Sequence, residues 1–201
     1  MSEHDCQEES LQQPEETVAQ DKKKAAKQEL MEWIRTFCFV LAFVILVRTF
    51  IFVPAMVSGS SMYPTLVDSE MMFVTRFVTY AAEPQRGDIV ILTPPDKKLG
   101  FNQFYVKRII GMPGETIVIT NGQVFIDGEM LDEPYIKSDW SGGMNPVTLP
   151  QDCYFVMGDN RGASTDSRSF GPLHKSLIGG KTEAVILPFG AIRKIEHATY
   201  E

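Results

Sequence analysis

The stretch Glu115–Leu131, ETIVITNGQVFIDGEML, decides the fold class. It sets an Asn121-Gly122 pair between two apolar runs, the strongest short-range signal for a β-hairpin. Strand signals continue on both sides of it. EMMFVTRFV (70–78) and DIVIL (88–92) are rich in β-branched and aromatic residues, and FYVKRII (104–110) alternates. CYFVMG (153–158) and TEAVILPF (182–189) complete the set, with Pro and Gly between them. No helix of three turns is expected after residue 53. The pattern predicts a mostly β domain of short, largely antiparallel strands over residues 54–201, long enough for a real core. Within it the turn-rich stretch 112–149 reads as a small β cap insertion. The end of that stretch, SDWSGGMNP (138–146), reads as a mobile loop with Trp140 as a packing anchor.

Ahead of the domain lies the only long apolar run, WIRTFCFVLAFVILVRTFIFV, Trp33–Val53. As a helix its 21 residues would reach about 31 Å, enough to cross a hydrocarbon core. Arg35 sits at one edge, and Arg48 is close enough to the other to snorkel. A buried core helix is a poor alternative, because the run is apolar on all sides. A cleaved secretory leader fits less well, because Arg48 interrupts the stretch before any cleavage point. Lys22, Lys23, Lys24, Lys27 and Arg35 flank the start of the run, whereas residues 54–73 hold no Lys or Arg. The positive-inside rule then sets the N-terminus in the cytoplasm and 54–201 outside.

Residues 1–32 carry nine Asp/Glu against four Lys, so much of the chain's net charge of −7 lies in what reads as a solvated, disordered tail. The sequence pI near 5.1 and a longest basic run of only Lys22–Lys24 exclude nucleic acid as a partner. Only Cys153 falls in the outer domain, so no internal disulfide forms there. With no CxxC, HExxH or His cluster, neither a metal nor a cofactor is expected.

Four segments offer chemistry. SGSSMYPTL (58–66) clusters Ser58, Ser60 and Ser61, any of which could be a nucleophile if a base is near. His174 and His197 are the outer domain's histidines: the first has ordinary surface neighbours, and the second sits in a polar tail and reads as solvated. Lys107 shares a strand face with Tyr105 and Ile109. Partial burial there would lower its pKa toward that of a usable base, although the alternation alone favours a snorkelling surface lysine. GDNRGASTDSR (158–168) packs polar and charged groups between strands, with Asp166 and Arg168 spaced to pair. It lacks calcium-loop spacing. In QRGDIVIL (85–92) the Arg-Gly-Asp reads as a structural turn with Asp88 capping or pairing.

SGSSMYPTL, RGDIVIL, YVKRIIGMPGE and GDNRGASTDSRSFGP, in this order after one apolar run, resemble the type I signal peptidases, most closely the small enzymes of Gram-positive bacteria. The resemblance implies a membrane-bound serine endopeptidase of the bacterial cell membrane with Ser61 as nucleophile and Lys107 as general base. It implies that Ser164 bonds the lysine and that Asp166 and Arg168 form a bracing ion pair. It implies cleavage of signal peptides after small residues, in contact with the lipid bilayer and the export machinery. Where some members carry an oxyanion-binding serine this chain has Gly59, which leaves Gly59, Ser58 and Ser60 as candidate donors beside the Ser61 amide. Met56, Val57, Met62 and Tyr105 are the expected substrate contacts. The self-cleaving repressors share the dyad, but they carry a DNA-binding module in place of an apolar run. An inactive, membrane-tethered homologue that only binds exported proteins is the alternative.

Overall fold

A computed structural model describes residues 24–45, 52–76, 83–95, 104–137, 140–198 and 200. The chain divides into two compact units, 1–48 and 49–201. In the first, residues 24–45 form one helix, α1. Residues 24–32, read above as tail, are thus helical, in keeping with a run of Ala, Lys, Gln, Glu, Leu and Met. Among the described residues no helix is long and apolar enough to cross a membrane. The apolar part of α1, residues 33–45, reaches about 20 Å. Residues 46–51 of the apolar run lie outside the described residues, as do 1–23 of the tail.

The second unit is mostly β. In chain order its strands are β1 (Phe52–Met56), β2 (Met71–Thr75), β3 (Ile89–Leu92), β4 (Tyr105–Gly111), β5 (Thr116–Thr120), β6 (Gln123–Ile126), β7 (Glu129–Met130), β8 (Met144–Thr148), β9 (Cys153–Met157), β10 (Leu173–His174), β11 (Ile178–Leu187) and β12 (Arg193–Lys194). One sheet runs β1-β2-β11-β3-β4-β9-β10 with β12 on β11; a second runs β7-β6-β5-β8. Every pairing is antiparallel. A single turn of helix, α2 (Ser167–Phe170), follows β9. The second sheet falls wholly inside the stretch 112–149.

Strand alternation distributes the core. Ile89 and Ile91 of β3 face a cluster with Val57, Met62, Leu66 and Met72, while Val90 and Leu92 face Ile109, Tyr154 and Val156 on the other side. Ile110, Phe155 and Met157 of the large sheet pack against Ile117, Ile119 and Val124 of the small one, joining the two.

Besides the two-residue β10 and β12, two longer strands depart from the sequence reading. β1 begins at Phe52 and pairs with β2 from Phe52↔Thr75 to Met56↔Met71, so the last two residues of the apolar run are strand. β8 arises in a segment that looked like loop because of its glycines and Pro146. It pairs only with β5, at the edge of its sheet, where a missing N–H is tolerated. The expected mobility of 138–146 is not what residues 140–146 show: Gly122 N–H donates to Gly142 O at 2.8 Å, and Trp140 packs on the core that joins the sheets.

The hairpin turn has Asn121 at φ 49° and Gly122 at φ 80°. A Cβ on Gly122 would lie 1.6 Å from the Trp140 carbonyl oxygen. Gly128 shares the positive φ, at 92°, but faces open space. Gly122→Ala should therefore cost about 2–3 kcal/mol and Gly128→Ala about 1 kcal/mol in urea unfolding. Equal losses would contradict the docking of the turn on residues 140–142.

Candidate active site

The Ser61 segment is pinned by its apolar neighbours. Met62 is 1% exposed and Leu66 fully buried, and Leu66 N–H closes a turn on Met62 O at 2.9 Å. Thr65 Oγ1 donates to Asp159 Oδ2 at 2.5 Å, tying this segment to the polar loop after β9. Ser61 itself stays half-exposed above these anchors.

Lys107 reaches it from β4. Its Nζ donates to Ser61 Oγ at 2.8 Å and to Val106 O at 2.9 Å, and it lies 5.1 Å from the centre of the Tyr105 ring. The residue is 3% exposed. Burial lowers its pKa from 10.5 to about 8, against the opposing pull of Asp166 and Asp159. At about 8, about one lysine in five is neutral at pH 7.4. Because the folded pKa is below the unfolded one, Lys107 subtracts from stability below pH about 8, and the penalty is relieved as pH rises toward 10.5.

Sheet register explains the meeting. Arg108 pairs with Met157, so β9 leaves the sheet at Gly158, level with Lys107. The 158–168 loop then passes under Ser61. A Cβ on Gly158 would lie 2.5 Å from Ser61 O and would strike the Ser164 side chain. Asn160 N–H donates to Ser61 O at 3.0 Å, and Asn160 Nδ2 to Ser60 O at 3.1 Å.

Below lies a charged layer. Asp166 is fully buried, paired with Arg168 Nε at 2.8 Å and Nη2 at 2.7 Å, and accepts from Gly158 N–H at 3.0 Å. Burial pushes its carboxyl up, but the bonds from Arg168 and Gly158 outweigh this and hold it below the ordinary carboxylate range. The Trp140 ring stacks on the Arg168 guanidinium at 4.5 Å. Arg108 and Asp159, each 1% exposed, pair through Nε at 2.9 Å and Nη2 at 2.7 Å, with Nη1 on Gly87 O at 2.9 Å and Tyr135 over the guanidinium. Arg161 pairs with Glu133 of the second-sheet segment.

Ser61 and Lys107 are thus brought together, and so are Asp166 and Arg168. Ser164 is not joined to Lys107: its Oγ is buried beside Gly158, on the side of the Asp166 carboxylate, whose pKa it helps to lower. The Gly59 amide is already engaged, donating to Asp68 Oδ1 at 2.6 Å, so it does not stand open as an oxyanion donor. Ser58 and Ser60 are exposed beside the site. Met56, Val57, Met62 and Tyr105 line a cleft of about 540 Å³ that contains Ser61 and Lys107. Val57 and Met62 are core residues forming its floor, whereas Met56 is 64% exposed. His174 bonds Ser176 at the surface. His197 is not solvated: Nδ1 accepts from Ile89 N–H at 3.3 Å, and Nε2 is buried without a partner. Asp88 pairs with Lys181 at 2.6 Å and accepts from Gln85 N–H at 3.0 Å, as the turn reading expected. The roles of Gly158, Asn160 and the Arg108–Asp159 pair were missed. The adjacent Gly-Asp-Asn was the available signal, since glycine beside a polar pair ending a strand marks a close backbone approach. Among the described residues no cluster of side chains suits a metal ion.

The family described as "Signal peptidase, peptidase S26" matches residues 30–187. This chain belongs to it. Signal peptidase I P of Bacillus subtilis subsp. natto is 42% identical, covering 86% of this chain and 97% of its own. Signal peptidase I of Bacillus licheniformis is 37% identical, covering 89% and 100%. Signal peptidase I S of Bacillus subtilis (strain 168) is 40% identical, covering 84% and 95%. The chain is a peptidase of the small Gram-positive form of this family.

The Arg108–Asp159 pair gives a stability test. Removing one partner leaves the other charge buried alone, so Asp159→Ala should cost about 3–5 kcal/mol in urea unfolding. Replacing both with apolar residues of similar volume should cost much less. If the double replacement is as damaging as the single one, the loss does not come from an uncompensated charge.

Proposed function

We propose that the chain cleaves signal peptides of exported proteins by acyl transfer, with Ser61 as nucleophile and Lys107 as general base. One observation carries this reading: the 2.8 Å contact between Lys107 Nζ and Ser61 Oγ, made by a lysine buried deeply enough to titrate at about 8. Neutral Lys107 accepts the Ser61 proton as Oγ attacks the scissile carbonyl. The protonated lysine then gives that proton to the leaving amine. Neutral again, it activates the water that releases the acyl enzyme. Asp166 and Arg168 brace the loop beneath.

Substrate enters as an extended strand. β4 pairs with β9 only from Arg108 onward, so Tyr105–Lys107 keep one edge open. Among the described residues β1 pairs only with β2, so its outer edge is open as well. A peptide between these edges gains main-chain bonds, as in strand addition. The cleft floor of Val57, Ile91 and Met62 suits small side chains next to the cut. In the same reading the apolar run from residue 33 up to the start of β1 anchors the chain in the bacterial cell membrane as a single span. The N-terminus is cytoplasmic, and residues 54–201 meet preproteins leaving the export machinery.

Three variants and a pH profile test the chemistry. Ser61→Ala should abolish cleavage of a secreted precursor, while Ser58→Ala and Ser60→Ala keep most of it. Lys107→Arg preserves charge but cannot accept a proton, and should lose about 10²–10⁴-fold in kcat/KM with its circular dichroism unchanged. Wild-type kcat/KM should rise with pH through an apparent pKa of about 8. A folded Lys107→Arg enzyme with wild-type rates would rule out the dyad.

Topology has its own test. Protease added to intact cells should digest residues 54–201 and spare the Lys22–Lys24 segment. The opposite pattern would reverse the orientation.

A further inference from the structure

We propose that Asn160 is a positioning residue for the oxyanion site: it fixes the Ser60–Ser61 peptide so that the Ser61 N–H is presented to the cleft. The proposal rests on the reading of Ser61 as nucleophile. Asn160 Nδ2 donates to Ser60 O at 3.1 Å, and Asn160 N–H donates to Ser61 O at 3.0 Å. Tyr63 N–H gives Ser60 O a second bond at 3.1 Å. Two consecutive carbonyls are therefore held by one residue of the loop after β9.

The consequence follows from peptide geometry. In a trans peptide the carbonyl and the N–H point in opposite directions. Tying the Ser60 carbonyl to Asn160 aims the Ser61 N–H away from it. Among the described residues that N–H donates to no other group. The nearby Gly59 N–H is given to Asp68, so it does not compete with the Ser61 amide beside Ser61 Oγ. An oxyanion donor is effective because it is aimed before charge develops on the substrate. Ser58, Gly59 and Ser60 are all exposed, so without the Asn160 side chain the Ser60 carbonyl keeps only the Tyr63 bond and this peptide is less firmly aimed. The cost of realigning it would then fall on the transition state.

The clamp acts on the transition state and not on the bound peptide, which gives it a signature separate from folding. The test uses the purified full chain in detergent and a fluorogenic signal peptide. Asn160→Ala should lower kcat about ten- to a hundredfold, less than the loss of a whole donor. KM should stay within about twofold, and the apparent pKa of kcat/KM should not move. Asn160→Asp is isosteric and keeps the backbone bond, but sets a carboxylate against the Ser60 carbonyl; its kcat should fall at least as far. If Asn160→Ala does not fold, Asn160→Asp alone carries the test. Affinity for a peptide aldehyde, which places an oxyanion at the same point, should drop by the same factor as kcat. A kcat within twofold of wild type, a loss confined to KM or a shifted apparent pKa would overturn the proposal. Ser61→Ala is run alongside. If it is inactive while Asn160 variants are normal, this inference alone fails; if it is active, the nucleophile assignment fails first.

Discussion

The site depends on one close approach of backbone to backbone. The Ser61 carbonyl occupies space that a side chain at residue 158 would need. This is possible only because a glycine, Gly158, follows β9 at the level of Lys107. From that contact the rest follows in order. The Ser61 segment lies flat on the loop, Asn160 bonds two of its carbonyls, and Gly158 turns its own N–H toward Asp166. Met62 and Leu66 supply the opposing force by anchoring the segment in the core. Hydrophobic burial holds the serine down while the missing Cβ lets it come close.

Lys107 and Arg108 are neighbours in one strand, and both are buried, yet their surroundings treat them differently. Arg108 meets a carboxylate in two parallel bonds, a carbonyl and an aromatic face, so its charge is retained. Lys107 has two oxygens at hydrogen-bond distance and no carboxylate among them. Asp166 and Asp159 act on it only through space, and burial outweighs them. The guanidinium suits the fully compensated place because it does not give up its proton. The ammonium suits the other because it can.

Much of the fold was legible because antiparallel strands announce themselves by alternation and turn residues. The Asn121-Gly122 hairpin and the strands around residues 72, 90, 107, 155 and 184 all read directly. β1 was hidden because Phe52 and Val53 continue an apolar run, and periodicity cannot divide such a run into helix and strand. β8 was hidden by Pro146, which is harmless only at an edge, and edge position is a tertiary fact. In the site, Lys107 and Ser61 are 46 positions apart, and alternation alone favoured a surface lysine. The motif order paired them, and the structure shows Lys107 buried, 3% exposed, where a solvated cation was the simpler reading. The bond expected between Ser164 and Lys107 is not among those Lys107 makes; the Ser164 hydroxyl lies beside Gly158, toward Asp166. His197 looked solvated because tail sequences carry no sign of where they dock.

Under the proposed reading, the open edge at Tyr105–Lys107 is also a filter on conformation. A strand edge bonds only to a chain whose own amides and carbonyls are unspent. Residues in a helix have already used theirs on one another. Small-residue sequences are common in folded helices, and there they have nothing to offer this edge. The same residues in an unwound segment emerging from a bilayer do. Under the proposed reading, selection by shape therefore precedes selection by side chain: a mature protein is spared by being folded, and a precursor is recognised by the short stretch that is not.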